Sequence, residues 1–185
     1  MKKLNIFLAC LVGLMTFAAC ESDRDDNPTL VQPADGSFVL NTPAFAGNTY
    51  DLEYSKSLEL SCSQPDYGFT AATTYSVEVS LDESFASSEV LSTVYTTARM
   101  NVDASEFAVA ATNLAVAEGM TEDMFPYVGN VYVRVNAKLQ DGIGEITSNI
   151  IELPNVKFYF ALPPVKKPTE LFLIGGFCDW NWDKA

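Results

Sequence analysis

The chain has 185 residues, 48% of them hydrophobic, which is enough to build a core and too apolar for a disordered protein. Its formal net charge of −13, with eleven scattered Lys and Arg, argues against nucleic acid and anionic membrane surfaces, because phosphate binding needs clustered cations. Histidine is absent, which removes the usual general base, the Ser/His/Asp and Cys/His nucleophile systems and most zinc sites. No catalytic residue, metal ligand or cofactor is expected.

The N-terminus reads as a processing signal rather than as part of the fold. "MKK" is a positive n-region, "LNIFLACLVGLMTF" an apolar h-region too short for a comfortable transmembrane span, and "AAC" supplies small residues before a cleavage site. "FAAC" resembles the bacterial lipobox, in which cleavage precedes a cysteine that carries diacylglycerol, so residues 1–19 are expected to leave and Cys20 to be lipidated. The alternatives are a plain signal peptide and a site at Cys10, which would leave an h-region of only a few residues. Behind Cys20, "ESDRDDNP" is a solvated acidic tether, assigned to residues 20–32. It also resembles the signal that sends lipoproteins of some Gram-negative bacteria to the outside of the outer membrane. Asp23, Asp25 and Asp26 lack the spacing and turn glycine of an EF-hand calcium loop.

Residues 33–163 read as short alternating strands. After "GSFVLN", the run "SLELSCS" turns Leu58, Leu60 and Cys62 to one face and Ser57, Glu59, Ser61 and Ser63 to the other. "YSVEVSL" sets Tyr75, Val77, Val79 and Leu81 against Ser76, Glu78 and Ser80. One helix interrupts the pattern: in "DASEFAVAATNLAVAEG", Asp103 is placed to cap, Glu106 to reach back as in a capping box, and Gly119 to stop the helix, with Phe107, Ala110, Ala111 and Leu114 on one face. "VYVRVNAKL" then turns Val131, Val133, Val135, Ala137 and Leu139 inward and Tyr132, Arg134, Asn136 and Lys138 to a solvated face. "GEITSNIIEL" and "VKFYFAL" add two more runs before Pro163 and Pro164. About seven antiparallel strands, punctuated by turns such as "QPDYG" and "QDGIG", with one short helix fit an all-β immunoglobulin/fibronectin-III-like sandwich. Once Cys10 and Cys20 are set aside, Cys62 and Cys178 remain, either bridged or, for Cys62, a buried free thiol.

The stretch from Asn27 through "VYVRVNAKL", including "FVLNTP", "CSQPDYG" and "YSVEVS" in order, resembles the N-terminal domain of the SusE family of starch-utilisation lipoproteins. The resemblance implies a non-catalytic outer-membrane protein whose first domain is an immunoglobulin-like spacer and whose later domains bind α-glucan (starch or maltooligosaccharide). Such a protein works beside a TonB-dependent transporter and a SusD-like lipoprotein, held to the membrane by its lipid alone.

On the same likeness, "PPVKKPTE" is a linker (164–170), and "LFLIGGFCDW" looks like the start of a glycan-binding module, so 171–185 is expected to open a domain that stops early. Trp180, Asn181, Trp182 and Asp183 are its sugar-contact candidates: indole rings stack on the C–H face of a sugar while amide and carboxylate groups bond its hydroxyls. A core role for one of the tryptophans is the competing assignment. The alternative for the whole protein is a structural or adhesive lipoprotein that engages a protein partner by a strand edge or face.

Overall fold

The computed structural model describes residues 29–163. Its strands are β1 (Leu40–Asn41), β2 (Tyr50–Asp51), β3 (Ser57–Cys62), β4 (Thr73–Ser80), β5 (Glu89–Tyr95), β6 (Arg99–Asp103), β7 (Tyr127–Leu139), β8 (Ile146–Thr147) and β9 (Ile151–Phe158). Helix α1 (Ala104–Ala117) lies between β6 and β7. Three strands in the order β1-β3-β6 form one sheet, and β2-β9-β7-β4-β5 form the other, with β8 also on β7. This is an all-β sandwich with one inserted helix. Its core is built by the expected alternation: Leu58 and Leu60 of β3 and Met100 and Val102 of β6 face Tyr75, Val77 and Val79 of β4 and Val131, Val133 and Val135 of β7, all buried.

Four features depart from the sequence reading. Strands β2, β5 and β6 lie outside the runs that the alternation predicts as strands, and the β2–β9 pair is parallel rather than antiparallel. "GEITSNIIEL" is cut into β8 and the start of β9, and β9 runs on through Pro154 to Phe158. A bulge lets it do so. Gly129 stands opposite Val156 and Val131 opposite Leu153, so Pro154 and Asn155 oppose Asn130 alone, and a bulge is where a proline without an N–H is tolerated in a sheet.

The fourth departure concerns the helix start. Asp103 caps as expected, accepting the amides of Ser105 at 2.9 Å and Glu106 at 3.0 Å, and Gly119 takes φ +95° just past the last turn. Glu106, however, does not reach back to Asp103. Its carboxylate accepts the Thr93 amide at 2.9 Å, the Thr93 hydroxyl at 2.7 Å and the Ser92 hydroxyl at 2.6 Å. The reason lies in β5. Ser76 pairs with Val94 and Glu78 with Val90, so three residues of β5 bulge against Val77, the ladder is interrupted there, and Glu106 takes up the amide. Asn113 adds bonds of 3.1 and 3.2 Å to Glu89, so α1 lies along β5 and covers the edge of the large sheet.

Replacing Glu106 by alanine should therefore destabilise the fold by about 2 kcal/mol, since three bonds to a charged acceptor are lost. Hydrogen exchange should speed up at the Thr93 amide while the helix start, held by Asp103, stays protected. Unchanged protection at Thr93 would contradict the assignment.

Candidate functional site

The residues singled out for lipidation and sugar contact, Cys20 and Trp180, Asn181, Trp182 and Asp183, lie outside the described residues, as do Cys178 and the Asp23–Asp26 run. Cys62 has no disulfide partner among the described residues. It lies inward in β3, its thiol 3.6 Å from the Ala98 carbonyl, and burial raises its pKa to about 11, which keeps it protonated and unreactive.

What the described residues do place is the course of the chain through the sandwich. Residues 29–32 come in beside the loops that follow β3 and β7: the Val31 amide donates to Tyr67 O at 3.0 Å, and Gln32 Nε2 to Glu145 O at 3.0 Å. Tyr67 packs under Gly144, where φ is +68° and a Cβ would lie 2.7 Å from the ring, so only glycine fits. The chain leaves at the other end. Strands β7 and β9 run antiparallel, and Phe158, opposite Tyr127 at the start of β7, delivers residues 159–163 to α1.

There the buried Thr112 acts as a clasp. Its hydroxyl lies 2.8 Å from Ala108 O and 3.1 Å from Tyr159 O, its single proton serving one at a time, and it accepts the Ala161 amide at 3.2 Å. Beside it opens a cavity of about 590 Å³, walled by Val109, Tyr159, Phe160 and Leu162 and rimmed by Ser92 and Glu106. Thr112→Val keeps the side chain's shape but strands the Ala161 amide, so a loss of about 1–3 kcal/mol is expected. Proteolysis beyond Phe158 should quicken with it. A variant as stable and as protease-resistant as the parent would show that the clasp holds nothing.

The outer face of the large sheet is solvated at Lys138 and half-buried at Tyr132, Arg134 and Asn136, but at Glu78 it departs from the solvated surface that the alternation suggests. Glu78 is 6% exposed. Arg134, opposite it on β7, forms a two-pronged bond to its carboxylate at 2.7 and 2.8 Å, and Ser88 at 2.6 Å and Asn136 at 2.9 Å fill the remaining acceptor positions. The β4–β5 loop closes over the pair. Phe85 adopts φ +54° and sets its ring 4.3 Å from the Arg134 guanidinium, while the buried Ser80 hydroxyl lies 2.7 Å from Ser87 O and accepts the Asp82 amide at 3.0 Å. The strained Phe85 backbone is offset by these contacts.

Burial by itself would raise the pKa of Glu78, but the bonds from Arg134, Ser88 and Asn136 and the charge of Arg134 outweigh it and hold the group at about 2. A folded-state pKa below the unfolded value stabilises the fold above about pH 4.5, and that contribution is lost as pH falls through 2. The depression corresponds to roughly 3 kcal/mol. Glu78→Gln should accordingly weaken the fold by about 3 kcal/mol at pH 7 and flatten the dependence of urea midpoints on pH between 4.5 and 2. An unaltered acid slope in E78Q would mean that other carboxylates, not this one, govern it. With its acceptor positions occupied, Glu78 is a structural group with no proton to exchange near neutrality.

Among the described residues, no group of three or more His, Cys, Asp or Glu could hold a metal ion, and no helix is long and apolar enough to cross a membrane. Comparison with protein-family models finds the SusE outer membrane protein over residues 22–136, more than half of the chain and reaching from ahead of the first strand into β7. The chain belongs to the SusE outer membrane protein family, and it is a protein of the outer membrane.

Proposed function

We propose that this is a non-catalytic lipoprotein, anchored through Cys20 and exposed on the cell surface, that holds α-glucan close to a TonB-dependent transporter and a SusD-like partner. The sandwich is the spacer, the acidic stretch before it the tether, and the tail that contains Trp180 and Trp182 the start of a sugar-binding module. One observation carries this reading: the chain comes into the sandwich at one end and leaves at the other, with β7 running between them. Thirteen residues of extended strand span about 40 Å. A fold built to stand between an anchor and a distal ligand needs such separation, whereas a domain with adjacent ends would fold the chain back on its anchor.

The occupied carboxylate of Glu78 fits a spacer better than a hydrolase. A glycosidase needs a pair of carboxylates free to exchange protons.

Cys20→Ala should abolish incorporation of labelled palmitate and release the protein from the outer-membrane fraction. Proteinase K added to intact cells should digest the parent protein. The paired W180A/W182A change should reduce the retardation of the purified chain in native gels containing amylopectin. Palmitate labelling that survives in C20A refutes the anchor, and glucan retardation indifferent to both tryptophans refutes the tail as a sugar contact.

A further inference from the structure

We propose that the sandwich carries a saccharide subsite of its own, in a groove on its flank between the 42–45 turn and the free edge of β3. The ligand class, a short neutral α-glucan, rests on the functional reading given above.

The groove exists because β1 is cut short. Pro43 has no N–H with which to continue the ladder, and the chain coils into two turns, with the Ala46 amide bonded to Pro43 O at 3.0 Å and the Asn48 amide to Phe45 O at 2.9 Å. It then crosses to the other sheet as β2, beside β9. Between Ser57 and Leu60, β3 is therefore paired with β6 on one edge, and no strand among the described residues pairs with the other. The Cys62 amide points to Ala98 O on the β6 side, whereas the Ser63 amide points to Val39 O on the β1 side. Alternation then turns the backbone groups of Ser57 and Glu59 into the groove.

The walls suit a sugar. The groove measures about 440 Å³, and the hydroxyl-bearing Thr42, Ser57 and Ser61 are among its lining residues, Ser61 Oγ accepting Asn41 Nδ2 at 3.2 Å. Phe45 stands at its lip and is 70% exposed. A lone exposed aromatic is unremarkable by itself, but this one is held in place. The two turns fix its backbone, and Asn155 Nδ2 ties the same loop to β9 through Gly47 O at 3.2 Å. With its backbone already fixed, this segment loses little further main-chain entropy when a flat apolar surface settles on the ring.

Charge selects among ligands. Glu59 is paired with Arg99 at 3.1 Å, which leaves the groove locally balanced, and the net charge of −13 disfavours anions. What remains is a small neutral molecule with one apolar face and dense hydroxyls, matched to Phe45 on one side and to backbone and serine groups on the other. A pyranose has that chemistry.

The test uses the full chain in detergent, as parent, F45A, W180A/W182A and the combined variant, with amylopectin gels and calorimetric titration by maltoheptaose. We expect F45A to raise the Kd for maltoheptaose about tenfold in both backgrounds without moving the thermal midpoint, as befits an exposed stacking residue. Binding that is equal in parent and F45A overturns the subsite while leaving the glucan reading intact. No binding by the parent overturns both. A dimer seen by sedimentation that F45A dissolves, without any glucan binding, assigns the edge to a second copy of the chain and also overturns the subsite.

Discussion

The structure depends on the inward face of β7. Val131, Val133, Val135, Ala137 and Leu139 are buried in succession, and β7 pairs with β4 on one side and with β8 and β9 on the other. Side chains along a strand alternate strictly, so a slip of one residue would carry all five into water and bring Tyr132, Arg134, Asn136 and Lys138 into the core. At roughly 1.5–3 kcal/mol for each large aliphatic side chain, no compensating contact could sustain that slip. The register of the large sheet is thereby fixed, and with it the pairing of Glu78 with Arg134, the bulge at Pro154 and the end at which the chain departs.

The Glu78–Arg134 pair follows from that register and in turn organises the loop above it. Glu78 is buried while the Arg134 side chain stays 30% exposed, and the cost of taking the carboxylate out of water offsets much of the pair's attraction. Its effect is geometric. The carboxylate gathers Ser88 from the far end of the β4–β5 loop and Asn136 from the next pair along β7, and the guanidinium offers a face to Phe85. The loop thus closes on the sheet in one arrangement, and Asn136 passes the order on to β8 by accepting the Thr147 hydroxyl at 2.7 Å.

What could be read from sequence is what depends on neighbours within a strand or a helical turn. The inward sets of β3, β4 and β7 and the Asp103 cap are of this kind, because period and local hydrogen bonding declare them. Strand β5 was illegible because its bulge breaks the alternation: Leu91 is buried, yet Ser92, Thr93 and Val94 are all exposed. Strand β6 does alternate, with Met100 and Val102 inward, but its five residues include Arg99, Asn101 and Asp103 and make a weak apolar signal. Glu106 carries the spacing of a capping box, and only the distant vacancy in the β5 ladder diverts it. Similarly, Glu78 and Arg134 are 56 positions apart, and their outward-facing places gave no sign of burial until the sheet brought them together. The groove beside Phe45 was hidden for a related reason, since an edge is free only by virtue of what fails to pair with it.

A spacer has to transmit direction as well as distance. A flexible chain of the same contour length would let whatever it carries explore a large volume, and effective concentration at a fixed partner falls steeply as that volume grows. Here the chain is gripped at both ends: by the Val31–Tyr67 and Gln32–Glu145 bonds where it comes in, and by Thr112 and the packing of Phe160 against Phe125, 5.4 Å between ring centroids, where it leaves. Between those grips lies a sandwich whose large sheet is held in register by β7. On the proposed reading, the orientation of the distal module relative to the anchor is then set by the tether and the linker alone. A groove on the flank of such a body would lie partway along the same path, where a glucan chain held distally would pass within reach of a second, weaker contact. Two modest contacts on one rigid support can exceed either one in avidity without any new interaction between them.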